Sequence, residues 1–176
     1  MMSGPGFLRW LGGLRRDRRG ALTVEFAFWT ALVFMVLLPV LDFALYVIEQ
    51  QRLSTAVTSA AMVAYNDRSA SALPTSQLTT YVSATSGFDS TAVTSALTCN
   101  GGLQSCSVAA SARTCACVSG TPATYTASAS CGATCSSGSL SGFYLTVSAT
   151  HTHKSIVPNP WLNGKTISSA TTVRLQ

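Results

Sequence analysis

Residues 21–48 read ALTVEFAFWTALVFMVLLPVLDFALYVI, and this stretch decides the fold. Residues 26–41 are a run of 16 without a charge, and the apolar zone continues past Asp42 to Ile48. As a helix rising about 1.5 Å per residue, 21–48 would be roughly 42 Å long, more than the ~30 Å hydrocarbon core of a bilayer. Arg9, Arg15, Arg16, Arg18 and Arg19 precede it against the single acid Asp17, whereas the next 40 residues hold only Arg52 and Arg68 as basic groups. Positive charge stays on the cytoplasmic side, so the expected topology has the N-terminus inside and the bulk of the chain outside. A cleaved signal peptide fits less well. The stretch is long for such a segment, and the nearest small-x-small site, Asp42-Phe43-Ala44, carries an acid where a small residue is needed.

Charge is otherwise scarce. The 176 residues carry 11 basic and 6 acidic groups, a formal net charge of +5, of which residues 1–20 account for +4. The rest of the chain is close to neutral, which argues against a nucleic-acid-binding face and its many phosphate-facing cations. With 47% hydrophobic residues, disorder throughout is also excluded.

Beyond Ile48 the pattern becomes amphipathic without a breaker. Leu45, Ile48, Leu53, Val57, Ala60, Ala61 and Ala64 recur at spacings of three to five, with Glu49, Gln50, Arg52, Thr55 and Thr58 mostly between them. The organisation expected is a basic leader at 1–20, a transmembrane helix at 21–48 with a kink at Pro39, an amphipathic stalk helix at 49–66, and an external domain at 67–176. Residues 67–150 contain 32 Ser or Thr and only four charged residues, Asp67, Arg68, Asp89 and Arg113. Leu73-Pro74-Thr75 followed by Gln77, Leu78, Tyr81 and Val82 predicts a short helix ending before Gly87. Alternation predicts strands at Cys106-Ser107-Val108, Thr114-Cys115-Ala116-Cys117-Val118, Thr124-Tyr125-Thr126, Phe143-Tyr144-Leu145-Thr146-Val147 and from Ile167 to Leu175. Turns are expected at Gly101-Gly102, Ser119-Gly120-Thr121-Pro122 and Ser141-Gly142, and a proline loop with Trp161 as aromatic anchor precedes the last strand. The fold class is therefore α+β: a long N-terminal helix, then a small disulfide-rich antiparallel β domain.

Cys99, Cys106, Cys115, Cys117, Cys131 and Cys135 all follow the span. An even number on the external side reads as disulfides, each contributing about 2–4 kcal/mol to a small domain. Six cysteines allow about 15 pairings. The short Asn100-Gly101-Gly102 interval favours Cys99 with Cys106, and Cys115 and Cys117 share a strand face that could meet Cys131 and Cys135. Zinc is the competing reading, but neither Cys115-x-Cys117 nor Cys131-x3-Cys135 matches the usual knuckle spacing. His151 and His153 fall on one strand face and read as exposed polar positions. No Asp or Glu follows Asp89, so an acid/base pair in the last 87 residues is impossible. No G-x-S-x-G elbow is present either. Neither catalytic residues nor a metal or cofactor is expected.

Glu25 is the anomaly. An ionisable side chain within a membrane helix is costly, and its spacing from Gly20 gives it a meaning. A basic leader, glycine at a cut, glutamate at position five of the remainder and then an apolar helix resemble the type IV prepilin processing motif. The Glu25-Phe26 pair, the Leu41-Asp42-Phe43 close of the apolar segment, and Gln50-Gln51 leading a small-residue helix look like the TadE family. These are minor pilins (pseudopilins) of the tight-adherence pilus system. The resemblance covers residues 15–66 and, through LTVSATHTH, a proline loop and GKTISSATTVRLQ, residues 143–176; it is absent from the Cys-rich middle.

That resemblance implies cleavage by a prepilin peptidase between Gly20 and Ala21. It implies docking of neighbouring pilin subunits and assembly machinery through Glu25 and Phe26, residence in the bacterial inner membrane, and a role in pilus assembly and surface attachment. The alternative is an uncleaved single-pass protein whose ectodomain binds a ligand.

Overall fold

The computed structural model describes residues 19–69, 73–128, 130–156 and 161–176. The leader read at 1–20 thus lies outside the described residues except for its last two positions. The chain divides into two compact units, Met1–Phe43 and Ala44–Gln176.

Helix α1, Arg19–Asn66, is 48 residues long and carries Pro39 in its interior. Proline removes one backbone donor, but no other residue from 21 to 66 is a Pro or a Gly, so nothing else interrupts the helix. In the first unit its apolar side chains are almost all exposed. Phe26 is 74% exposed and Met35 79%, and of residues 20–43 only Asp42 is buried. One apolar stretch within Gly20–Ser69 is long enough to cross a membrane, and large exposed apolar side chains all round are what such a helix requires.

The second unit is α+β. A one-turn 3-10 segment, Asp67–Ser69, follows α1, and helix α2 spans Thr75–Ser86. Helix α2 ends at Gly87, whose φ of 72° is the left-handed cap that glycine adopts without strain. Strands β1 (Val93–Cys99), β4 (Tyr144–Thr152) and β5 (Thr166–Arg174) form an antiparallel sheet in the order β1-β4-β5, and β2 (Ala116–Ser119) pairs with β3 (Thr124–Ala127). Leu97 faces Val147 across the first pairing, and Leu145 faces Val173 across the second.

The inward side chains of this sheet, Val93, Leu145, Val147, Ala149 and Ile167, join one core with Leu78 and Val82 of α2 and with Leu53, Ala56, Val57, Ala60, Ala61 and Ala64 of α1. The helix contribution is chiefly alanine, which lets its backbone approach closely; Thr58 Oγ1 lies 3.4 Å from Thr171 Oγ1 of β5. Leu45 and Ile48, read as part of the buried stripe, are exposed instead.

The three disulfides are Cys99–Cys106, Cys115–Cys131 and Cys117–Cys135. They follow the pairing that spacing favoured, and they consume the four thiols a zinc site would have used. Asn100, buried with a φ of 48°, locks the first loop: its Nδ2 donates to the Thr114 carbonyl at 2.7 Å and its Oδ1 accepts from the Tyr144 amide at 2.9 Å. Gly101 beside it must be glycine, because a Cβ there would collide with the Tyr125 ring.

Three local expectations are corrected. Cys106-Ser107-Val108 is a turn, not a strand, because Cys106 is drawn back to the end of β1 by its disulfide. The unpredicted strand is β1, whose inward positions include Ser95, a small polar residue that masks the alternation. Ser141-Gly142 is no turn, since Gly142 exchanges backbone hydrogen bonds with Ala116 at 2.8 and 3.0 Å. Trp161 is 80% exposed rather than anchored in the core; of its loop, residues 157–160 lie outside the described residues.

Candidate processing and docking segment

Gly20 and Ala21 lie in the first turn of α1, both exposed. Glycine is the poorest helix former after proline, so this turn is the part of α1 that costs least to open for a peptidase. A Cβ built on Gly20 meets nothing within 4 Å, so packing does not demand glycine at this position.

Three polar side chains follow between 21 and 41, namely Thr23, Glu25 and Thr30. The two threonines are satisfied within the helix: Thr23 Oγ1 donates to the Gly20 carbonyl and Thr30 Oγ1 to the Phe26 carbonyl, each at 2.8 Å. Such back-bonding suits an environment that offers no water. Glu25 has no equivalent route, because an ionised carboxylate only accepts. Among the described residues it makes no hydrogen bond and no ion pair, and it is exposed beside the equally exposed Phe26. Helical spacing places Ala21 and Glu25 one turn apart on one face.

The two histidines are not the exposed strand positions read from sequence. The inward parity of β4 runs Leu145, Val147, Ala149, His151 and on to His153, which is only 1% exposed. His153 lies just past β4 yet keeps its register, because its amide donates to the Lys165 carbonyl and its own carbonyl accepts from the Gly164 amide. Its Nδ1 is 2.7 Å from Glu49 Oε2, and with a carboxylate as acceptor that nitrogen carries the proton. His151 Nδ1 donates to the Ala92 carbonyl at 3.0 Å, its ring stacks on Phe88, and its Nε2 lies 3.8 Å from the same Glu49 oxygen.

Glu49 is therefore the carboxylate that the C-terminal half lacks, brought from α1 across the core. Sequence reading missed it, although it lies four residues before Leu53 and seven before Ala56 and so on the buried stripe. The cluster ties helix to sheet; among the described residues no group of three His, Cys, Asp or Glu is arranged to hold a metal.

One family model, described as TadE-like protein, matches residues 20–62. The match begins at the glycine of the candidate cut and runs through the alanine-rich part of α1, the region on which the resemblance to the TadE family rests. It supports a protein related to the tight-adherence pilus. The C-terminal resemblance at 143–176 lies beyond the matched residues. No curated protein and no solved structure matches the chain.

Proposed function

We propose, with the TadE-like match over residues 20–62 as premise, that this chain is a minor pilin-like subunit of a tight-adherence pilus. It takes part in pilus assembly and surface attachment. Residues 21–48 hold it in the bacterial inner membrane with the leader in the cytoplasm and 67–176 outside, and a prepilin peptidase cuts between Gly20 and Ala21. The observation that carries this reading is Glu25, an exposed carboxylate on an apolar helix, five residues beyond Gly20 and without a partner among the described residues.

Cleavage would give Ala21 a free ammonium. A carboxylate in lipid is stabilised only by a well-placed cation, and the ammonium of a neighbouring subunit supplies one, with Phe26 and the other exposed apolar side chains providing contact area. Before cleavage no such charge exists at Ala21, so processing would switch docking on. Because Ala21 and Glu25 also lie one turn apart in their own helix, the intermolecular pair competes with an intramolecular one, and association depends on Glu25 rather than on the new ammonium alone.

Intact mass and N-terminal sequence of the protein purified from membranes of its own host test the first step. The expected N-terminus is Ala21; an N-terminus upstream of Gly20 overturns the processing claim and favours an uncleaved, membrane-anchored binding ectodomain. Glu25→Gln tests the second step. The variant should be cut normally yet fail to co-purify with other pilin subunits, and normal co-purification would remove Glu25 from the docking mechanism.

A further inference from the structure

Arg113 stands apart from everything above. It lies between the one-turn 3-10 segment Ala110–Ala112 and β2, it is only 8% exposed, and its guanidinium sits 5.3 Å from the centre of the Phe143 ring. One nitrogen is occupied, with Nη1 donating to the Arg68 carbonyl at 2.7 Å. The other two, Nε and Nη2, are buried and have no hydrogen-bond partner. No carboxylate among the described residues pairs with it. Glu49 is engaged by His153, Asp89 is tied to the Thr91 amide and hydroxyl, and no acid follows Asp89 in the sequence. Burial alone, with no neighbouring charge to offset it, pushes the Arg113 pKa down. A buried charge left in this state is strongly unfavourable unless something pairs with it.

The position of the two vacant donors specifies what that is. Nε and Nη2 form the side edge of a guanidinium, the edge that presents two nearly parallel N–H bonds. Two oxygens of one carboxylate or phosphate fit that edge in a bidentate contact. A chloride, with one centre, or a carbonyl, with one oxygen, leaves it half filled.

We infer that Arg113 forms a binding site for a small oxyanion, a carboxylate or a phosphate held side-on by Nε and Nη2. The Phe143 ring and the Arg68 carbonyl fix the plane of the guanidinium. Both chain neighbours, Ala112 and Thr114, are exposed, as is Arg68, and the preceding turn contains no buried residue. That turn is the segment that shifts to admit the anion.

The test is thermal unfolding of the full, disulfide-intact chain in detergent, with sodium phosphate and sodium acetate each titrated against sodium chloride at matched ionic strength. A saturable rise in Tm is expected with phosphate, acetate or both, about 3–6 °C at tenfold saturation, and none with chloride. Which of the two acts identifies the oxyanion. Arg113→Gln and Arg113→Lys should both abolish the rise, the lysine variant because it keeps the charge without the two-pronged edge. An equal rise in chloride, an unchanged rise in Arg113→Lys, or no rise in the native chain overturns the proposal. If Arg113→Gln does not fold, Arg113→Lys together with phosphorus NMR of phosphate in the presence of the native chain decides. Line broadening with the native chain that disappears with the lysine variant supports the site, and equal or absent broadening rejects it.

Discussion

The two halves of α1 have inverted habits. Residues 20–43 expose Phe26, Phe28, Trp29, Phe34 and Met35, whereas residues 44–66 bury Ala56, Ala60, Ala61 and Ala64 alongside Leu53 and Val57. Large apolar side chains point outward in one half, and small ones point inward in the other. In water this is the wrong way round for the first half. The inversion disappears if its solvent is lipid, which rewards apolar bulk on the outside and leaves no hydrophobic drive to hide it. The second half meets a sheet, and there closeness of approach outweighs the area of any one side chain.

Several substitutions would break or sharpen this contrast. The largest effect is expected from Phe143→Ala, which empties the fully buried centre of the second unit and should lower unfolding stability by about 3–5 kcal/mol. Phe34→Ala, an equal truncation in the first half, should leave denaturant unfolding of residues 44–176 unchanged in detergent-solubilised protein. A comparable loss from Phe34→Ala would mean that the first half contributes to the same core.

The two glutamates of α1 give the next comparison. Glu49→Ala removes the partner of His153 Nδ1 and should cost about 1.5–3 kcal/mol, the range for a hydrogen bond to a charged group. Glu25→Ala should cost nothing by the same assay. The chemical shift of the His153 ring proton would show whether the intended bond was the one lost. The smallest difference is expected from enlarging an alanine. Ala60→Leu overpacks the contact between helix and sheet and should destabilise by about 1–3 kcal/mol, whereas the exposed Ala31→Leu should be neutral, read as the shift in unfolding midpoint.

Much of this architecture was legible in the sequence because it was written in bulk and in breakers. The uncharged run at 26–41 required one long helix, Gly87 closed α2, and alternation around Leu145 and Ile167 gave the two long strands. Small polar side chains hid the rest. In Val93-Thr94-Ser95-Ala96-Leu97-Thr98-Cys99 the inward position at Ser95 carries no hydrophobic signal, so β1 passed unnoticed, while a three-residue alternation at Cys106 imitated a strand. The link between Glu49 and His153 joins residues 104 apart, and no local pattern reports such a distance. Parity did report it in part, since His151 and His153 continue the inward series of Leu145, Val147 and Ala149. Arg113 gave no sequence signal beyond the scarcity of acids around it, because burial of a lone arginine depends on how the loop before β2 folds back against the Arg68 carbonyl.

The clamp on Asn100 has a chemical consequence. Asn followed by Gly is the sequence most prone to spontaneous deamidation, in which the glycine amide nitrogen attacks the asparagine side chain and closes a succinimide. Here both ends of that side chain are held, by the Thr114 carbonyl and the Tyr144 amide, away from water and from the attack trajectory. Folding thus protects the bond, and unfolding exposes it. Conversion to aspartate would remove the donor to Thr114 and place an acid where only a neutral amide fits. Each molecule would then carry, as one added mass unit at residue 100, a record of the time it had spent unfolded.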